Sequence, residues 1–142
     1  MVKKIIWGLV AVIILVIFTA WLTQDHWLPQ WNQSIADQTT EYHEKGLSFA
    51  ATHDQAACLD EALTEYNLCK GFSCTLIHGK FLRACLSEAP VTEGFCDGVP
   101  AFNEKATEDE KTWARHACWD KNIGGDGCRL LMRQQQFFCA SR

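Results

Sequence analysis

Cys58, Cys69, Cys74 and Cys85 form a palindrome, with ten, four and ten intervening residues about a centre between Gly71 and Phe72. Eleven residues at ~100° each come to ~1100°, about 20° past three turns of α-helix. Cys58 and Cys69 therefore share a helical face, and so do Cys74 and Cys85. Two antiparallel helices with those faces opposed can be stapled twice, by Cys69–Cys74 near the turn and by Cys58–Cys85 farther out. The pattern directs the middle of the chain toward a helical hairpin.

Four more cysteines follow: Cys96, Cys118, Cys128 and Cys139. Cys118 and Cys128 flank the glycine-rich break Ile123-Gly124-Gly125-Asp126-Gly127 and can meet there. Cys139 then lies ~16 Å down a last helix at about 1.5 Å per residue, within reach of the loop cysteine Cys96. The competing assignment is Cys96–Cys128 with Cys118–Cys139, and the nested form is preferred. Eight cysteines in a small domain read as a disulfide framework, which requires an oxidising compartment.

The run Ile5 to Leu22 is uncharged and apolar over 18 residues. A helix spanning the hydrocarbon core needs roughly 17–25 such residues. Trp7 and Trp27 flank its centre 20 residues apart, about 30 Å along a helix, which matches the core's thickness. Trp21 and Trp31 join Trp27 at one end, where indole rings favour the headgroup layer. Lys3 and Lys4 precede the run and Asp25 follows it. The positive-inside rule then predicts a cytoplasmic N-terminus. A cleaved signal peptide is the competing reading, but signal h-regions span only about 7–15 residues. Phe18-Thr19-Ala20 also puts a bulky residue where cleavage wants a small one.

Beyond the run, Pro29 is expected to interrupt or open a helix. Ser34 is expected to cap a long helix reaching about Leu68. Ile35, Tyr42, Phe49, Ala56 and Leu63 recur every seven residues, so one stripe faces a partner. The companion heptad positions are polar in the first half, which describes a weakly amphipathic stalk. A homodimer through that stalk is an expectation of the same pattern. Lys70-Gly71-Phe72-Ser73 is the turn, and a second helix is expected from Cys74 to about Glu88. A loop from Ala89 to Thr107 precedes a third helix, about Glu108 to Asn122. The acids Glu108, Asp109 and Glu110 suit its N-terminus. A fourth helix is expected over Cys128–Cys139. No β-alternation of useful length occurs, so the class is all-α.

Nested bridges across a helical hairpin resemble those of the coiled-coil–helix–coiled-coil–helix proteins of the mitochondrial intermembrane space. Those proteins place nine residues between paired cysteines. Here Cys58/Cys69 and Cys74/Cys85 enclose ten, and only Cys118/Cys128 encloses nine. The resemblance covers the hairpin alone and implies no function.

All 17 acidic residues but only 11 of the 13 basic ones lie beyond Leu22, for a net charge of −6 there. That balance disfavours nucleic acid, whose phosphates need a basic footprint. Acids concentrate between Asp37 and Glu65, while Arg129, Arg133 and Arg142 follow the last acid. No C-x-x-C redox pair, C-x-x-C-H haem site, G-x-S-x-G elbow or phosphate-binding loop occurs. His26, His43, His53, His78 and His116 show no metal-ligand spacing. His116 and Asp120 stand at i, i+4 and have the form of a base with an orienting carboxylate. Trp113, Trp119, Phe137 and Phe138 are the candidate interaction surface, because aromatic residues are enriched at protein contacts.

The sequence therefore predicts an all-α protein with an N-terminal transmembrane helix, a helical stalk and two disulfide-stapled helical hairpins. Residues 1–4 are the cytoplasmic end, 5–27 the anchor, 28–57 the juxtamembrane segment and stalk, and 58–142 the disulfide-rich domain. The expected setting is a bacterial inner membrane with the domain in the periplasm. The expected role is a non-catalytic interaction, scaffold or assembly module for another protein, with no cofactor, no metal and no nucleic acid. Two other classes compete: a periplasmic hydrolase inhibitor or small enzyme using the 89–107 loop, and a thiol-redox helper.

Overall fold

The computed structural model describes the backbone of residues 2–142 and the side chains of 5–23 and 29–142. The side chains of Lys3, Lys4, Asp25, His26 and Trp27, invoked above, lie outside the described residues. The fold is all-α, in the order α1 (Val2–Ala50), α2 (Gln55–Cys69), α3 (Phe72–Glu88), α4 (Glu108–Asp120) and α5 (Asp126–Ala140). The chain divides into two compact units, Met1–Ala36 and Asp37–Arg142.

In the first unit, Ile5–Thr23 is a 19-residue apolar helix of mean hydropathy 2.8, with none of its side chains buried by the protein. It is long and apolar enough to cross a membrane. Its two hydroxyls are satisfied locally: Thr19 donates to the Val16 carbonyl at 2.9 Å and Thr23 to the Thr19 carbonyl at 3.0 Å. The helix then runs through Pro29 without a break. Proline removes one rung of the ladder, but extending an existing helix avoids the cost of a new nucleus. The expected interruption at Pro29 and cap at Ser34 are therefore corrected, since both residues lie inside α1.

The second unit begins with the end of α1. The expected helix from Ser34 to Leu68 is in fact two, broken at residues 51–54. Asp54 causes the restart: its carboxylate accepts from the Ala57 N–H at 2.9 Å and caps α2. The break puts the end of α1 and α2 on separate courses, each packed against α3. Tyr42 meets His78 edge-on at 5.2 Å, and Phe49 meets Phe81 at 5.5 Å. Gly46 is buried against the Phe81 carbonyl and the Ala84 side chain. The stretch expected to be stalk up to residue 57 thus contributes core contacts from Tyr42 onward.

α2 and α3 form the expected hairpin. Lys70 and Gly71 turn the chain at φ 50° and 95°, and glycine makes the second of these inexpensive. Cys58 is bonded to Cys85 and Cys69 to Cys74, with Cα separations of 5.8 and 6.1 Å. α4 and α5 form a second hairpin closed by Cys118–Cys128, and Cys96–Cys139 ties the intervening loop to the end of α5. Leu63, Leu82, Leu86 and Leu131 fill the centre with the bridges Cys58–Cys85 and Cys118–Cys128. Each disulfide adds ~2–4 kcal/mol by restricting the unfolded chain.

Candidate functional site

An open groove lies between α3 and α5, with a volume of about 1360 Å³. Both helices present a second apolar face there, apart from the one that fills the core. On α3 this face holds Phe72, Leu76 and Gly79. On α5 it holds Leu130 and Phe137. Phe72 is 74% exposed, Leu130 53% and Phe137 48%. Seven residues separate Leu130 from Phe137, two helical turns, so both point the same way. The floor is made by small residues. Gly127 is buried directly against Tyr66 and Thr75, and a side chain at Gly79 would collide with Gln134.

The wall toward the C-terminus is held by a buried carboxylate. Glu110 is 2% exposed. It accepts from the Thr107 N–H at 2.7 Å, the Asn103 N–H at 2.9 Å and the Gln136 amide at 2.8 Å. The Thr107 N–H above all, then the Asn103 N–H, holds its carboxyl down to about 2, against the opposing effect of desolvation. Thr107 and Glu110 make a reciprocal capping box for α4. Gln135 and Gln136 donate to the Phe95 and Ala101 carbonyls at 2.9 and 2.8 Å, binding the 89–107 loop to α5. Arg133 donates to the Asn103 carbonyl at 2.7 Å and lies 4.7 Å above the Phe102 ring. Phe102 in turn meets Phe137 edge-on at 5.1 Å.

The rim is cationic. Lys70, Lys80 and Arg83 border the groove together with Arg133, against the single acid Asp126. Arg133 already faces Glu110, and Asp126 is paired with Arg129. Lys70, Lys80 and Arg83 therefore carry the rim's unbalanced charge, on a chain whose net charge is −4. A second recess of about 630 Å³ is acidic by contrast: Glu41, Glu44 and Glu61 line it with Lys45, which pairs with Glu41 at 2.7 Å and leaves Glu44 and Glu61 unbalanced. The domain is thus polarised, acidic beside α1 and α2 and basic along α3 and α5.

The sequence-predicted aromatic residues separate. Phe137 lines the groove. Phe138 borders it but packs on the core, with its ring 6.0 Å from Phe95. Trp113 also packs against the core. Trp119 is 58% exposed on α4 and meets His116 edge-on at 5.2 Å, outside the groove lining. No hydrogen bond joins His116 to Asp120 among the described residues. Nor do three or more His, Cys, Asp or Glu side chains gather there in a way that could hold a metal ion. His78 is buried beneath Tyr42, with Nε2 3.5 Å from the Cys69 sulfur, and burial pushes its imidazole below the usual histidine range. The sequence reading missed Phe72, Leu76, Leu130 and the cations beside them. The available signal was that α3 and α5 each carry more apolar positions than one buried face requires.

No family model, curated protein or solved structure matches the chain. The geometry of the groove therefore carries the functional reading.

Proposed function

We propose that the protein is a membrane-anchored, non-catalytic interaction module that docks another polypeptide in the α3–α5 groove. The carrying observation is the groove itself, a broad apolar trough with a cationic rim on an otherwise acidic domain. Soluble domains rarely leave large apolar side chains grouped on an exposed surface unless something covers them. Apolar centres with polar rims are the common anatomy of protein contacts. The apolar helix Ile5–Thr23 supports a single-pass anchor. The four disulfides support display on an oxidising side. Lys3 and Lys4 ahead of the span support a cytoplasmic N-terminus, with the domain in the periplasm of a bacterial inner membrane.

The reading is tested by photo-crosslinking in intact membranes. A benzophenone side chain at Leu130 or Phe72 should give the same discrete adduct, and one at Glu61 in the acidic recess should not. No adduct from the groove positions, or equal adducts from all three, would count against docking there. A C-terminal alkaline phosphatase fusion checks the topology, since that enzyme is active only on the periplasmic side.

A further inference from the structure

We propose that the groove's occupant is an acidic amphipathic α-helix of a partner protein, about four turns long. The inference rests on the docking function above and adds the chemistry of the ligand.

Length and width come first. The α3 side of the groove extends from Phe72 to Ser87 and the α5 side from Asp126 to Ser141. At about 1.5 Å per residue each side is ~22 Å long, the length of a fifteen-residue helix. The volume of about 1360 Å³ exceeds the ~300–1000 Å³ usual for small-molecule pockets. An open trough between two helices, with exposed apolar side chains on both walls, is what helix-in-groove recognition requires.

Charge selects the occupant. Lys70, Lys80 and Arg83 are distributed along the groove. Lys70 stands at the turn before α3, Lys80 lies ~12 Å up that helix from Phe72, and Arg83 is about one turn farther on. A lipid headgroup places its charge at one end of its tails and would meet either Lys70 or the neighbouring Lys80 and Arg83. Carboxylates repeated along the flanks of a helix would meet all three. Arg83 is also turned toward the apolar wall, with its guanidinium 5.9 Å from the Phe137 ring. There it borders both the apolar contact and the charged one.

A second copy of the chain fits less well. Its acidic helices have already used their apolar faces. On α1, Tyr42 and Phe49, which accompany Glu41 and Glu44, pack on His78 and Phe81. On α2, Leu59 and Leu63, which accompany Asp60 and Glu61, are buried in the core.

The test uses the full-length protein in phosphatidylcholine nanodiscs and two fluorescein-labelled sixteen-residue helical peptides. Both carry leucines at alternating three- and four-residue spacing. One has glutamates on its flanks and the other has lysines. Fluorescence anisotropy should show the acidic peptide binding at least about tenfold more tightly, with an advantage that shrinks as salt rises. Lys80→Glu with Arg83→Glu should abolish or reverse the preference and leave the thermal melt unchanged, because both side chains are exposed. Leu130→Asp should weaken both peptides. Equal affinity for the two peptides would overturn the proposal, as would a preference indifferent to the charge reversal. Phosphatidylglycerol vesicles that bind through Lys80 and Arg83 while neither peptide binds would assign the groove to lipid. Self-association that blocks the groove would assign it to a second copy. If Leu130 crosslinks a partner in membranes but the acidic peptide does not bind, the docking function stands and only the stated chemistry fails.

Discussion

Replacing Cys58 and Cys85 together by alanine, or Cys69 and Cys74 together, removes one of two staples from the same helical hairpin. The staples differ in the chain they enclose, with sequence separations of 27 and 5. On the loop-entropy relation the longer loop is worth ~3.6 kcal/mol and the shorter ~2.1 kcal/mol. Burial widens the gap. Cys58 and Cys85 are each 0% exposed, so alanine there also leaves two sulfur-sized voids in the core. Cys69 is exposed and Cys74 only half-buried at the core's edge, so the inner pair leaves less. In a domain of this size 1 kcal/mol shifts the midpoint by roughly 4–8 °C. The outer pair should therefore cost at least ~14–29 °C and the inner pair ~8–17 °C. Thermal denaturation of the full-length protein in nanodiscs without reductant, followed by far-ultraviolet circular dichroism, reads the difference. Equal midpoints, or a larger loss from the Cys69/Cys74 pair, would refute the argument that enclosed loop and core burial set the staples' worth.

Gly46→Ala should lower stability by ~1–3 kcal/mol, because its Cβ would collide with the Phe81 carbonyl and the Cys85 backbone, which cannot step aside. A denaturant titration measures this, and alanine's better helix propensity works in the opposite direction. Glu110 keeps its charge in the fold down to about pH 2, whereas an unfolded glutamate takes up its proton near pH 4.3. Its stabilising contribution is thus present above the unfolded value and is lost as pH falls toward 2. Melting curves between pH 2 and 6 should show that loss, and Glu110→Gln should show a lower midpoint at pH 6 with a flatter acid limb. Trp119→Ala should change stability by less than about 0.5 kcal/mol, since the ring is 58% exposed. It should leave peptide binding in the groove intact.

The hairpin of α2 and α3 was legible because its signals are local: an eleven-residue cysteine phase on each side and Gly71 at the turn. The seven-residue stripe was also legible, but not its division between two helices. Ile35, Tyr42 and Phe49 lie on α1, while Ala56 and Leu63 lie on α2. Asp54 was the cue that separates them, and it stood inside a stripe that continued in phase across the break. Pro29 misled in the other direction, because losing one hydrogen bond does not end a helix that is already nucleated. Phe137 and Phe138 are adjacent, so a helix points them about 100° apart, one toward the groove and one onto the core. The groove itself was not legible. It exists because α3 packs against α5, two helices distant in sequence, and no local pattern states which of their surplus apolar faces are left side by side. Glu110 was read only as a favourable charge at a helix start. Its capping-box spacing from Thr107 was present, but its burial depends on Asn103 and Gln136 arriving from elsewhere in the chain.

The docking function is tested most directly by light scattering with size-exclusion chromatography on the full-length protein extracted from its native membrane. Wild type should elute as a complex of fixed stoichiometry with another polypeptide. Leu130→Asp should elute alone with an unchanged circular dichroism spectrum, and Trp119→Ala should retain the complex. A complex that survives Leu130→Asp, or a wild-type protein that elutes only by itself, would contradict the assignment of the α3–α5 groove as the docking surface.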